Sequence, residues 1–214
     1  MTLPELLLVL VVVAALGAMV IPRLAQRAEA ASASTTRRSM ETLRGVIMTD
    51  YRDDMFEALP YPLSSQRTAH PQLKYLYHNP SADLTSNPGD FSQTSAWEYD
   101  ASSGRGWSGP YVEPSSLATT NYRVDNDRGF TQHYGESPSS TSGVHDPAPS
   151  DAWGNPIVLQ QPVSASGGAS RDSTLYARLV SAGPDGVLQT PRNVMQPTQQ
   201  QLGDDLLVYL RRRP

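Results

Sequence analysis

Four carboxylates carry most of the chemistry open to this chain. Glu5 is the lone charge in Met1 to Pro22, MTLPELLLVLVVVAALGAMVIP. A carboxylate surrounded by hydrocarbon is expensive and usually has a partner. An acid is also favoured for its own sake by the unpaired N–H groups of a helix start. Asp185, Asp204 and Asp205 form the second set. Asp185 lies in Gly183-Pro-Asp-Gly186, and the Asp204-Asp205 pair precedes the apolar run Leu206-Leu-Val-Tyr-Leu210. One reading is turn chemistry for Asp185 and a solvated strand start for the pair. The other is a Ca²⁺ ion held by these carboxylates and nearby carbonyls, because calcium takes roughly six to eight oxygens from flexible loops.

Other chemistries find little support. The chain has no cysteine, so it has neither a disulfide framework nor thiol catalysis. Its four histidines, His70, His78, His133 and His145, lack metal-site spacing and read as surface residues. Trp107, Tyr111 and Trp153 read as core or loop anchors rather than a carbohydrate platform. No nucleophile elbow, phosphate loop or convincing carboxylate pair occurs. The expectation is a protein that is not an enzyme. With 17 basic and 21 acidic residues, a net charge of −4 and a pI near 5.5, it does not read as a nucleic-acid binder. The Ser/Thr-rich stretch at residues 137–142 reads as a possible O-glycan carrier.

The elements that must position the carboxylates follow from periodicity. At about 1.5 Å per residue, the apolar run 1–22 makes a rod of roughly 33 Å, about one bilayer core. Residues 23–58 continue the helix: they lack proline and place Leu24, Ala28, Ala31 and Thr35, then Met40, Leu43, Ile47 and Tyr51, at helical spacing. Leu59-Pro60-Tyr61-Pro62 ends it. Residues 59–214 form a loop-rich head, with a short helical turn at Gln72–Tyr77 and long excursions at 79–104 and 112–150. The second excursion reads as irregular, and the segment from Val187 to Leu202 as a long loop. Three strands are expected at 156–161, 173–181, where apolar and polar residues alternate, and 205–211, joined by turn signals into an antiparallel meander. The large-residue half of the helix is the natural cover for that sheet, which makes the fold α+β.

A helix this long exceeds what one small head can cover. A signal peptide is disfavoured, because no basic residue precedes the apolar run and Pro22-Arg23-Leu24 follows it. A plain membrane anchor and an assembly helix packed on copies of itself both remain open on the residues alone.

The chain resembles a known superfamily at several points. Thr2-Leu3-x-Glu5-Leu6-Leu7 and the apolar run to Pro22 look like the mature start of a type IV pilin-like protein. In the head, Gly106-Trp-Ser-Gly-Pro-Tyr-Val112, Asp151-Ala-Trp-Gly-Asn-Pro156 and Leu179-Val-Ser-Ala-Gly-Pro-Asp-Gly186 follow in order. They resemble motifs of the major pseudopilin of type II secretion systems. Gly203-Asp-Asp-Leu206 is similar to the acidic end of that family's calcium loop. Pro4 and Met1 depart from the family, in which an aliphatic residue and Phe are commoner, and the loop excursions enlarge the head.

The resemblance implies the type IV pilin fold, with a long helix packed on a small antiparallel sheet. It implies a homopolymer, held in the inner membrane before assembly and then in a periplasmic or cell-surface filament used for secretion or adhesion. Met1 would be the methylated first residue after prepilin-peptidase cleavage, and its α-amine would pair with Glu5 of a neighbour. Gly17 to Pro22 would give up helical hydrogen bonds on packing, and Asp185, Asp204 and Asp205 would hold structural Ca²⁺. The alternative from another class is a membrane-anchored extracellular module that captures a partner through its loops.

Overall fold

A computed structural model describes residues 3–54, 73–77, 99–112, 119–121, 147–162 and 175–211. Helix α1 runs over Leu3–Val46, continues through a π turn at Ile47–Tyr51, and goes on as α2, Arg52–Asp54. The expected end of the helix at residue 58 lies outside the described residues. The backbone is helical through Gly17 and Pro22 in the single chain. Where the ladder widens, the Thr49 hydroxyl donates to the Gly45 carbonyl at 2.8 Å. Such back-bonding competes with the helix's own donors and perturbs the turn.

The helix has two unlike halves. Met40, Leu43, Ile47 and Tyr51 are fully buried, as their spacing predicts, and form one wall of the core. In the preceding stretch the buried threonine is Thr36, not Thr35, because the turn at Asp151–Asn155 docks beside it. From residue 3 to residue 31, every side chain that is described is exposed, a length of roughly 43 Å at 1.5 Å per residue.

The head contributes a three-stranded antiparallel meander: β3 (Val158–Gln160), β4 (Arg178–Ser181) and β5 (Leu206–Tyr209), with β4 central. The pairing sets Leu179 against Leu159 and Val208. Ile157, Leu159, Ala177, Leu179 and Leu210 join the helix stripe in one core with Leu73, Tyr75 and Leu76 of a 3₁₀ turn, Leu73–Leu76. The protein is thus α+β, an N-terminal helix with a small antiparallel sheet. The strands are shorter than their sequence signals.

Three expectations need correction. The 112–150 excursion is not wholly irregular: β1 (Thr119–Asn121) pairs antiparallel with β2 (Pro147–Pro149). A two-stranded ribbon tolerates proline because an edge strand need not donate on both sides. The 187–202 segment contains α3, Gln199–Leu202, started by a capping box between Thr198 and Gln201. Finally, β4 does not alternate between core and water, because all four of its residues are buried. The loop after β4 folds back over the face turned away from the helix, and the buried arginine described below holds it there.

Candidate functional site: the bare helix and the aspartate loop

Glu5 lies in the first turn of α1 and is exposed, amid large apolar side chains that are exposed with it. The nine from Leu3 to Val13 retain between 49% and 78% of their accessible surface. Pro22 is part of the continuous helix, and Met1 lies outside the described residues. Among the described residues, no helix is long and apolar enough to cross a membrane.

The second site is the loop from Ala182 to Asp205. The structure brings Asp185 and Asp204 together through one residue that the sequence did not single out. Gln189 Nε2 donates to Asp185 Oδ2 at 2.7 Å and to Asp204 Oδ1 at 3.1 Å. Asp204 Oδ2 accepts from the Asp185 backbone N–H at 3.2 Å. Gly183, at φ +66°, brings its backbone close to Asp204, where a Cβ would lie 2.5 Å from the Asp204 carbonyl oxygen.

Asp205 is differently employed. Its Oδ2 accepts from the backbone N–H groups of Gln189 and Thr190 at 2.9 and 2.6 Å and from the Thr190 hydroxyl at 2.6 Å. Its Oδ1 is buried with no donor. Among the described residues, no group of three or more His, Cys, Asp or Glu side chains converges as a metal site. The three aspartates are therefore not one cluster, and Asp205 ties down the loop that the other two face. An all-oxygen donor set still suits a hard cation. A cation bound there would draw on the carboxylates of Asp185 and Asp204.

Burial pushes the Asp205 carboxyl up to about 6, against the pull of the Thr190 and Gln189 hydrogen bonds. The unfolded value is near 3.9, so between about pH 4 and 6 the folded chain holds the extra proton. The contribution is present below that window and lost as pH rises through 6. Its size is at most about 3 kcal/mol. With chelator present, the stability of wild type relative to Asp205→Asn is expected to fall from pH 4 to pH 7, as read by urea unfolding. A constant difference would rule out the titration.

Behind the loop sits Arg178, fully buried in the central strand. Its Nε donates to Gln160 Oε1 at 3.1 Å. Its terminal nitrogens donate to the carbonyls of Val194, Met195 and Pro191 at 2.8, 3.2 and 2.8 Å. Gln160 in turn donates to the Thr190 carbonyl at 3.2 Å. Burial lowers the guanidinium's pKa, and the Tyr209 phenol acts in the opposite sense. An unbroken chain of bonds thus links Arg178 through Gln160 and Thr190 to Asp205. Sequence reading missed it, because an arginine in an alternating strand reads as solvent-facing.

The head motifs act as clamps. Asp151, buried, accepts from the backbone N–H groups of Trp153 and Asn155 at 3.0 and 2.8 Å and from the Ser181 hydroxyl at 2.7 Å. The Ala152 N–H donates to Thr36 of α1 at 3.0 Å, and Asn155 Nδ2 to the Gly183 carbonyl at 3.0 Å. This turn ties helix, sheet and aspartate loop together. At the end of the helix, Asp54 accepts from the Ser108 hydroxyl and from the Tyr111 phenol. Trp107 Nε1 donates to the Tyr75 carbonyl at 2.9 Å. Trp107 and Tyr111 are therefore anchors, as expected. The four histidines all lie outside the described residues. Set against family models, curated proteins and solved structures, the chain matches none, so its functional reading rests on its own residues.

Proposed function

We propose that this chain is a structural, non-enzymatic subunit of pilin-like fold that polymerises into a helical filament at the bacterial cell envelope. The observation that carries the reading is the division of α1. Among the described residues, its first fully buried side chain is Thr36, and the large apolar side chains of its first part stand exposed. A contiguous apolar surface of this size marks a contact with something else. Covering those nine side chains is worth on the order of 10 kcal/mol per subunit. In this reading the inner membrane covers them first, and neighbouring copies of the helix cover them after processing by a prepilin peptidase and the assembly machinery. Glu5 sets the register between copies, and the head's C-terminal loop is braced by Ca²⁺ at Asp185 and Asp204. When bound, the ion supplies charge neutralisation. The residues of the chain supply the closed loop through the Asp205–Thr190 bonds and the Arg178 lock.

The test is electron microscopy of sheared-surface and periplasmic fractions with an antibody to the head. Labelled filaments are expected, and the fraction that holds them tells a surface fibre from a periplasmic one. A chain found only as dispersed membrane-held monomers would overturn the reading in favour of an anchored binding module.

A further inference from the structure

The aspartate loop contains a group placed where a cation would serve. All three aspartates converge on Gln189: its backbone N–H reaches Asp205, and its side-chain amide reaches both Asp185 and Asp204. A primary amide has two N–H donors in one plane, one for each carboxylate. The amide's oxygen is turned toward Gly203. A Cβ there would lie 1.6 Å from Gln189 Oε1 and 2.6 Å from its Cδ, so only glycine leaves room for the arm. Gly203 also takes φ +58°, a conformation that side chains disfavour.

We propose that the Gln189 side chain is a built-in stand-in for the cation: it closes the aspartate loop when no metal is bound, and a divalent cation must displace it. The proposal rests on the calcium reading above. Its physical basis is that an amide satisfies the hydrogen-bonding needs of two carboxylates but cannot neutralise them. Asp185 and Asp204 therefore still repel each other across the amide, and a divalent cation removes that repulsion. Gln189 and Asp185 are both exposed, so the arm has water to swing into and the ion has a path in. The Asp205 bonds to the Gln189 and Thr190 backbone stay in place while the side chain leaves. Asp205 is 6% exposed, and its Oδ1 has no donor.

The experiment uses the full chain in detergent, with CaCl₂ as the only added ligand, and reads the thermal midpoint in chelator and in calcium together with the calorimetric Kd. Gln189→Ala is expected to melt lower than wild type in chelator yet bind Ca²⁺ about tenfold more tightly, since the ion no longer competes with the amide. Gln189→Lys sets a permanent ammonium between the carboxylates. It is expected to melt at or above wild type in chelator and to lose the calcium response. Gly203→Ala, which evicts the arm without removing it, is expected to follow Gln189→Ala in its calcium response. Weaker Ca²⁺ binding by Gln189→Ala would make the side chain a ligand and overturn the proposal while leaving the calcium reading intact. If wild type and Gln189→Ala both ignore Ca²⁺, the calcium reading and this proposal fall together.

Discussion

Cells whose chain carries Glu5→Ala are expected to lose the filament, with yield down at least tenfold while the subunit still accumulates in the membrane. The reasoning starts from what surrounds the side chain. Glu5 stands among Leu3, Leu6, Leu7, Leu8 and Val9, all about half exposed or more. When neighbouring helices cover those residues, the carboxylate leaves water with them. Left unpaired, it costs several kcal/mol. Paired with a positive group on a neighbour, it makes the correct stagger between subunits much better than any slipped one. Alanine removes that distinction and adds apolar surface, so subunits lose register rather than attraction. Glu5→Gln separates the two effects, because it keeps the size and loses the charge, and it is expected to fail as Ala does. Glu5 lies some thirty residues before Thr36, the first fully buried position among the described residues of the helix, so neither change should shift the head's unfolding midpoint. Filaments of normal yield and helical order from the Glu5→Ala chain would sink the assembly reading. A simple anchor would be indifferent to the change.

Replacing Arg178 with Ala is expected to cost the head about 4 kcal/mol, in line with removing one member of a buried charged network. The substitution strands the carbonyls of Pro191, Val194 and Met195 and the amide oxygen of Gln160, and it opens a cavity beneath the loop. Each buried acceptor left unmade costs about 1–3 kcal/mol unless water reaches it. Arg178→Lys retains the charge but cannot reproduce the planar fork that serves several acceptors at once, and a loss of about 2 kcal/mol is expected. Arg178→Met keeps the length without donors and should resemble Ala. Urea unfolding read by tryptophan fluorescence measures these values. Trypsin adds a local readout, because Arg192 sits in the loop that Arg178 holds and should be cut faster once the lock is gone. A loss below about 1 kcal/mol for Arg178→Ala would show that water and the rest of the loop replace the guanidinium.

The legible part of the structure was the part encoded in local pattern. The stripe Met40, Leu43, Ile47 and Tyr51 is buried as its spacing demanded, because side chains three or four apart share a helix face. The meander was legible from turn signals between apolar runs, and its order β3-β4-β5 is that of sequential strands pairing with their chain neighbours. Asp151-Ala-Trp-Gly-Asn-Pro156 was legible as a turn into a strand, with Gly154 at φ +87°. Its role as a clamp was not, since the Ala152–Thr36 bond joins residues 116 apart in the chain. The capping box at Thr198 and Gln201 is legible in the sequence, inside a segment that lacks the apolar periodicity of a helix.

By itself, the sequence determined which half of the helix would find a partner within its own head. Periodicity decides which side chains share a face, and a small head can bury only one such face. Tertiary structure alone decided how the carboxylates are used. Asp185, Asp204 and Asp205 look alike in a string of letters. Only the folded loop assigns the first two to an exposed cradle around Gln189 and buries the third against Thr190. The reason is that a carboxylate's chemistry is set by the donors and water that reach it, and those donors come from a backbone course that Arg178 holds from behind. Glu5 belongs to both accounts. Its position in an apolar helix is written in the sequence, and the assembly role proposed for it is a matter between copies of the chain.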